Sequence, residues 1–255
     1  FFSCARPPYE NPAVRRALAL LLPWSEIRSS EYMYIPTSTL VPQIESYPDI
    51  EGITEKNEER AQTLLKQEGF PGGTGLPAIT IHIPDSEESE RIAGEMKKAW
   101  EGVLDVAVSI EKSAFNEYYD NLKDNSFTIG TLTWIGDFAD PLTFLNMWTE
   151  DSNLNISEYS QPEYDEMIRK SLSQTGEERY TTMSEAEKIL LSGAVVLPVK
   201  HSPAFNIIDL DYIEGWFPNP LDIHPFKYVK FGTPSLPEGV VQAPRYRAVP
   251  RAVSR

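Results

Sequence analysis

Phe127-Thr-Ile-Gly-Thr-Leu-Thr133, followed by Trp134-Ile-Gly-Asp-Phe-Ala-Asp-Pro141, is the stretch around which this chain is organised. Its first part is apolar and β-branched, which predicts a buried strand, and its second part changes abruptly to an aromatic residue, a glycine, two acids and a proline. In open α/β sheets small ligands lie beyond the carboxyl ends of the strands, so Trp134 and Asp137 are candidate ligand contacts. The alternative is that Asp137 only holds a turn and that Asp140 only bonds backbone before the proline.

Strands and helices alternate along the segment that precedes this stretch. Isoleucines alternate within residues 78–83 and valines within residues 106–110, as they do in strands, and a helical pattern follows each run. The order β, α, β, α, β implies right-handed crossovers and a largely parallel sheet flanked by helices, which is the α/β fold class. The two crossover helices are predicted to begin at Ser86, with a core stripe of Ile92, Met96, Trp100 and Val103, and at Ser113, with Phe115, Tyr118 and Leu122 on one face.

Start and stop signals define the other elements. Asn11 and Pro12 are the cap and first residue of a predicted helix, and Thr54 is the predicted cap of another that ends at Gly69. Residues 35–53 are predicted to be a long extended loop. Helices are further predicted at 162–172 and 178–191, and strands at 1–9, 195–199, 204–208 and 226–231.

The net charge of -15 argues against nucleic acid or an anionic membrane as the main partner, because both are polyanions. Residues 242–255 carry four arginines and no acid, and this tail, which has no apolar period, is predicted to be disordered. A single cysteine, Cys4, excludes an internal disulfide. The apolar runs are too short to span a bilayer.

Most catalytic patterns are absent from the sequence. It contains no phosphate-binding glycine loop and no G-x-S-x-G element, and no cofactor is predicted. The three histidines, His82, His201 and His224, lack acidic or cysteine partners at ligand spacing, so no metal site is predicted. One enzymatic alternative uses Asp137 and Asp140 as the acid and base of a hydrolase.

Several motifs in order resemble the C-terminal half of the bacterial oligopeptide- and dipeptide-binding proteins, the solute-binding proteins (extracellular family 5) of peptide ABC transporters. Trp134-Ile-Gly-Asp137-Phe-Ala-Asp140-Pro141 resembles the family's W-x-x-D-Y-x-[DE]-P. Arg6-Pro-Pro-Tyr9 with Val14-Arg15-Arg16-Ala17-Leu18 resembles R-P-P-F followed by V-R-x-A-L, and residues 61–70 resemble A-x-x-L-L-x-x-A-G-Y. Matches around Tyr159 to Asp165, Ala186-Glu187 with Leu197-Pro198, and Pro220 to Val229 continue in the same order.

The resemblance implies a type II periplasmic-binding-protein lobe, one half of a two-lobed clamp that closes on an extended peptide. Asp137 matches the carboxylate that pairs with the peptide's α-ammonium, and Trp134 matches the aromatic residue beside it. Phe138 lies at the aromatic position of the same motif, and Phe115 matches a possible aromatic wall of the ligand site, with core packing as its equal alternative. Asp140 is expected to shape the turn.

One departure from the family concerns the peptide's carboxylate. Relatives can bind it with arginines at positions that correspond here to Leu122 and Thr131. Lys123 is a neighbour of these positions, but an ammonium cannot make the bidentate contact of a guanidinium. Recognition of the peptide's C terminus is therefore not predicted.

The resemblance also divides the chain into three predicted segments. Residues 1–205 are the ligand-binding lobe, residues 206–232 return toward a missing N-terminal lobe, and residues 233–255 are the disordered tail. The implied partners are a peptide ligand, the transporter permease and the missing lobe, and the implied location is the periplasm or a lipid-anchored position at the cell surface. A single lobe offers an open face, so we expect it to bind peptide weakly.

Two other functions remain open at this point. A stand-alone module whose exposed cleft docks another protein would have a large exposed apolar patch. The hydrolase would need both aspartates free to act as acid and base. The first expectation is nevertheless a non-enzymatic peptide-binding component.

Overall fold

The computed structural model describes residues 1–29, 34–219 and 222–232. Contacts divide the chain into two compact units, Phe1–Pro203 and Ala204–Arg255, and each is described by itself. The predicted tail, residues 233–255, lies outside the described residues. Within the described ranges, no helix has both the length and the apolar character needed to cross a bilayer.

The first unit contains eight α-helices and five strands in the described residues. The helices are α1 Pro12–Leu20, α2 Trp24–Ile27, α3 Glu58–Gln67, α4 Glu87–Glu101, α5 Phe115–Leu122, α6 Leu142–Leu145, α7 Pro162–Ser171 and α8 Gly176–Ser192. The strands are β1 Ile35–Pro36, β2 Ile79–Pro84, β3 Val108–Ser113, β4 Ile129–Gly130 and β5 Lys200–His201. Two short 3₁₀ turns, Pro71–Gly73 and Asn146–Trp148, complete the set.

A three-stranded parallel sheet in the order β3-β2-β4 organises this unit. β2 pairs with β3 from Ile79 opposite Val108 onward, and with β4 through Ile81 opposite Ile129 and His82 opposite Gly130. The helices α4 and α5 connect the three strands in sequence, as in a crossover fold. The predicted α/β class with a mostly parallel sheet is confirmed.

The strand predicted at 127–133 is much shorter than expected and does not lie at the centre. Only Ile129 and Gly130 form β4, and β2 is the central strand. The expected strand at 1–9 is reduced to one antiparallel bridge between Phe2 and Ile129. The chain after Gly130 therefore leaves the sheet earlier than its β-branched composition suggests.

Local capping explains where the helices begin. The Asn11 side chain accepts a hydrogen bond from the Ala13 N–H at 2.8 Å, and Ser86 caps α4, as predicted. The predicted cap Thr54 is wrong, because Asn57 caps α3 through the Arg60 N–H at 2.9 Å. Threonine and asparagine both cap helices, so residue type alone does not distinguish Thr54 from Asn57. Asn57 is the cap because α3 begins directly after it.

Two apolar clusters fill the unit. One joins α1, α3 and α4 to the sheet, and it is pinned by Trp100, whose indole N–H donates to the Leu18 carbonyl at 2.9 Å. The other lies under α5, α7 and α8 and includes Phe127, Trp148 and Tyr164. The stripe assigned to the core of α4 is confirmed, with Met96 and Trp100 buried.

The arginine pair of the V-R-R-A-L match joins the N-terminal helix to the end of α8. Arg15 is buried and donates to the carbonyl oxygens of Tyr9 at 2.8 Å and of Gly193 at 3.0 Å. Arg16 donates to the Ser192 carbonyl at 2.8 Å. Cations at a helix C-terminus satisfy the free carbonyls and oppose the negative end of the helix dipole.

Glu187 holds the long segment between α2 and α3 against α8. Its carboxylate is buried and accepts hydrogen bonds from the backbone N–H groups of Leu40 at 2.7 Å and Val41 at 3.0 Å, and from the Tyr47 hydroxyl at 2.8 Å. Burial raises the pKa of Glu187 despite these bonds. One carboxylate thus satisfies two backbone N–H groups of an otherwise irregular segment.

Several strand predictions in the last third of the chain are wrong. Residues 195–199 and 204–208 form no strand, although β5 follows the first run directly. In the second unit, Phe226–Tyr228 is a 3₁₀ turn, and only Lys230–Phe231 (β7) pairs, antiparallel, with Ile213–Glu214 (β6). These runs are apolar, but apolar composition alone does not provide a neighbouring strand edge.

Replacing Glu187 by alanine should lower the free energy of unfolding by about 2–4 kcal/mol, because two backbone donors lose their acceptor. Glu187→Gln should cost about 1 kcal/mol, since its amide oxygen can still accept from both N–H groups. Urea unfolding measures both values. The control is Glu185→Ala on the same helix, which removes only an exposed pair with Lys188; a control loss as large as that of Glu187→Ala would refute this role.

The same comparison gives a pH dependence. Since the pKa of Glu187 is raised in the folded state above its ordinary value of 4.5, the folded chain binds this proton more tightly than the unfolded chain. The contribution of Glu187 to the free energy of unfolding therefore falls as the pH rises from its ordinary pKa through its raised pKa in the folded state. Relative to Glu187→Gln, the wild type should lose stability as the pH rises above about 4.5, and a difference that grows in the opposite direction would contradict the assignment.

Candidate functional site

The segment from Thr131 to Asp140, here called the ligand loop, carries three of the four predicted site residues. It follows β4 at the carboxyl end of the parallel sheet and has no regular structure. Trp134, Asp137 and Phe138 lie on this loop, and Phe115 is the first residue of α5. The sequence therefore placed these side chains near strand ends, as expected for a ligand site in an α/β fold.

Asp140 fixes the far end of the ligand loop. Its carboxylate is held by both terminal nitrogens of Arg179, with Nη2 to Oδ1 at 2.9 Å, and Oδ1 also accepts from the Leu142 N–H at 2.9 Å. The Thr143 N–H donates to the Asp140 carbonyl at 3.1 Å, which starts α6. The prediction that Asp140 shapes the turn is confirmed, and a bidentate arginine contact makes that turn rigid.

Gly136 and Thr143 set the backbone of Asp137. The Asp137 N–H donates to the Thr143 hydroxyl at 2.9 Å. A Cβ atom on Gly136 would lie 2.9 Å from the Thr143 methyl carbon and 3.3 Å from the ring of Phe144. Only glycine allows this close approach, so the loop is packed onto α6 immediately before the aspartate.

The Asp137 carboxylate itself remains available. The side chain is exposed, and within the described residues it accepts no hydrogen bond and pairs with no cation. Its neighbour in the motif, Asp140, is by contrast fully engaged. The hydrolase alternative needs two free carboxylates, and the geometry leaves one.

The other three predicted site residues are aromatic. Trp134 is half-buried and packs against the second apolar cluster, and its indole nitrogen is buried without a hydrogen-bond partner among the described residues. Phe138 is 46% exposed and Phe115 is 85% exposed. Core packing, the alternative for Phe115, is therefore wrong: Tyr118 and Leu122, at helical spacing from it, are buried, but Phe115 at the first position of α5 is exposed.

The positions that could bind a peptide carboxylate are unsuited to it. Leu122 is fully buried, and both backbone groups of Thr131 are bonded to the Tyr118 hydroxyl. Lys123 pairs with Asp120 at 2.7 Å and lies over the ring of Tyr119. The sequence-based doubt about C-terminal recognition is thus matched by the surroundings of these residues.

The histidines do not form a metal centre in the described ranges, where no group of three or more His, Cys, Asp or Glu side chains could hold an ion. His82 is buried, with its Nε2 atom 2.7 Å from the Ser113 hydroxyl. His224 lies 2.7 Å from the Asp222 carboxylate. His201 is in β5 and is partly buried.

Sequence reasoning missed the residues that support the ligand loop. Arg179 is 39 positions from its partner Asp140, and no local pattern links them. Thr143 could have been suspected from its place three residues after Asp140, but not its bond to Asp137. Tyr118 was predicted only as a residue of the helix after Ser113, whereas its hydroxyl contacts the first residue of the loop.

Comparison with known proteins places this geometry in a family. The family of bacterial extracellular solute-binding proteins, family 5 Middle, matches residues 1–155. The dipeptide-binding protein DppE of Bacillus subtilis is 24% identical over 212 residues, which cover 78% of this chain and 38% of the relative. The periplasmic murein peptide-binding protein MppA of Escherichia coli is 30% identical over 141 residues, and heme-binding protein A of Haemophilus influenzae is 27% identical over 238 residues.

These alignments cover 55% of this chain and 26% of MppA, and 88% of this chain and 42% of heme-binding protein A. The chain therefore spans well under half the length of these curated relatives.

Solved structures share the fold. The Escherichia coli murein tripeptide-binding protein MppA superposes with a TM-score of 0.75 at 23% identity, covering 90% of this chain and 47% of that one. The Haemophilus influenzae OppA complex with the peptide RPPGFSPFR gives a TM-score of 0.74 at 22% identity, with the same coverage. With the family match extending over residues 1–155 and the fold shared with these structures, the chain belongs to the bacterial extracellular solute-binding proteins of family 5.

Proposed function

We propose that this chain is the C-terminal, ligand-binding lobe of the peptide-binding protein of an ABC transporter, and that Asp137 binds the α-ammonium of the peptide. The observation that carries the proposal is the free, exposed carboxylate of Asp137 on a loop that Arg179 and Thr143 hold in place. A preorganised carboxylate gains more from a cation than a mobile one, because little conformational entropy is lost on binding.

The charge of this group favours peptides over the other ligands named among the relatives. One relative is a heme-binding protein and another a probable deoxycholate-binding protein. Heme and deoxycholate carry carboxylates at neutral pH, which Asp137 would repel, whereas a peptide presents an ammonium. The peptide names of the other relatives agree with this choice.

The aromatic residues supply the rest of the proposed subsite. Trp134 forms the wall beside Asp137, where an indole face excludes water from the ion pair and attracts the ammonium. Phe138 and Phe115 offer exposed rings for the first side chains of the peptide. Ring stacking and apolar contact tolerate many side chains, which suits a receptor that binds peptides of varied sequence.

Recognition is proposed to be directed at the peptide's N terminus. Leu122 and Thr131 are engaged in the fold, and Lys123 is already paired with Asp120. Without a guanidinium at these positions, the lobe has no bidentate contact there for a terminal carboxylate. Peptide length would then be limited by the remainder of the receptor and not by this lobe.

The second unit supports the remaining part of the proposal. Phe205, Ile207, Phe226 and Phe231 are each at least 60% exposed, and several exposed large apolar side chains in one short unit favour a partner that covers them. The relatives are more than twice the length of the matched region. We therefore assign residues 206–232 to contact with the other lobe of a two-lobed receptor, which acts in the periplasm or anchored at the cell surface and delivers peptide to the permease.

A stand-alone interaction module is the second candidate, because the same exposed apolar side chains would also suit contact with a different protein. The two candidates differ at Asp137, which only the peptide receptor needs. The hydrolase is not proposed, since Arg179 occupies the carboxylate that would have to be its second catalytic group.

Asp137→Asn should weaken binding of trialanine about tenfold, since it removes one charge-assisted contact. Binding of N-acetyl-trialanine, which lacks the ammonium, should change little. Amide chemical-shift titration of ¹⁵N-labelled chain measures both peptides even at millimolar affinity. Asp105→Asn, an exposed site with the same change of charge, is the control; equal losses in the two variants, or for the two peptides, would exclude the proposed contact.

The chain should bind trialanine with a Kd of about 1 mM or weaker, because one open wall buries far less of a ligand than the 70–90% typical of a closed site. Isothermal titration calorimetry tests this. Micromolar or tighter affinity would mean that closure by a second lobe is unnecessary, and the clamp model would have to be abandoned for this chain.

A further inference from the structure

The end of β4 is held by a side chain instead of by another strand residue. The Tyr118 hydroxyl accepts a hydrogen bond from the Thr131 N–H at 2.8 Å, and it lies 2.8 Å from the His82 carbonyl oxygen and 3.0 Å from the Thr131 carbonyl oxygen. The last paired residues of the ladder are His82 and Gly130, so this contact comes one residue beyond them.

A phenol hydroxyl has one proton to donate and can accept at least one hydrogen bond. Tyr118 therefore accepts from the Thr131 N–H and donates its own proton toward the backbone oxygens of His82 and Thr131, an arrangement here called the relay. The ring is buried, and burial raises the pKa of Tyr118, so the proton needed for this relay is retained throughout the physiological range.

The relay has a geometric consequence for the ladder. In a parallel pair that continued past His82 and Gly130, the Thr131 N–H would turn toward the His82 carbonyl. With an oxygen atom placed between these two groups, Thr131 stands farther from β2 than a paired residue does. The chain then turns away from the sheet at the point where the ligand loop begins.

The helix that carries Tyr118 is itself fixed to the strand ends. The Asn121 amide donates to the Ser113 hydroxyl at 2.8 Å, and that hydroxyl is 2.7 Å from His82 Nε2. Helix α5 thus contacts the last residue of β3, a residue near the end of β2, and the first residue after β4. Phe115, the exposed ring at the start of α5, shares this support.

We propose that Tyr118 is the positioning residue of the ligand loop: its hydroxyl ends β4 at Gly130 and sets the path by which the chain reaches Trp134 and Asp137. The same hydrogen bonds join α5, which carries Phe115, to the ligand loop, so that the two form one rigid unit. The effect on peptide binding rests on the function proposed above, whereas the effect on loop position does not.

The test compares Tyr118→Phe with Tyr9→Phe in the full chain. Both substitutions keep a buried ring and remove one hydroxyl, since Tyr9 donates to the Pro77 carbonyl at 3.0 Å in the other apolar cluster. In the peptide-free protein, Tyr118→Phe should shift the amide resonances of Thr131, Gly136 and Asp137, and Tyr9→Phe should leave them in place. Without the hydroxyl, the Thr131 N–H should pair directly with the His82 carbonyl and lengthen β4 by one residue.

A second readout separates positioning from general destabilisation. Tyr118→Phe should reduce the preference for trialanine over N-acetyl-trialanine by about three- to tenfold, the effect of one misplaced hydrogen-bonding group. Tyr9→Phe should keep the wild-type preference even if its unfolding temperature falls equally. Unshifted loop resonances in Tyr118→Phe would overturn the proposal. If wild type shows no preference but the resonances shift, the positioning role stands and the peptide function fails.

Discussion

The structure depends on how the ligand loop is held between its two ends. At one end the Tyr118 hydroxyl is hydrogen-bonded to the backbone of Thr131, and at the other end Arg179 forms a salt bridge with the carboxylate of Asp140. Between them, Gly136 permits contact with Thr143, whose hydroxyl accepts the Asp137 N–H. These contacts fix the backbone of the loop at Thr131, Asp137 and Asp140, and the Asp137 carboxylate faces solvent. A charged side chain without a partner on a rigid backbone is the form expected of a binding group.

The two aspartates of the motif have different roles. Asp140 is part of the fold, because its bidentate pair with Arg179 ties the start of α6 to α8. Asp137 adds nothing comparable to the packing. Two other ions join α8 to earlier parts of the chain: Arg15 donates to the Gly193 carbonyl after α8, and Glu187 accepts from the Leu40 and Val41 N–H groups.

The sequence predicted the class of fold and the principal helices because their signals are local. Alternating isoleucines defined β2, and Asn11 and Ser86 marked helix starts by accepting from N–H groups two and three residues after them. The length of β4 could not be predicted, because it is ended by a tyrosine on another element. The strand prediction for residues 195–199 was wrong for a related reason, since a strand needs a free edge to pair with as well as suitable residues. At the site, Asp137 and Trp134 could be named from their motif, but Arg179 could not, since 39 residues separate it from Asp140.

The most direct test of the central claim is a crystal structure of the chain grown with saturating trialanine. We expect the peptide's ammonium nitrogen about 3 Å from a carboxylate oxygen of Asp137, with the Trp134 ring beside it and the Asp140–Arg179 pair unchanged. A peptide bound elsewhere, or bound with its ammonium in solvent while Asp137 stays free, would contradict the assignment of this carboxylate as the anchor of the ligand.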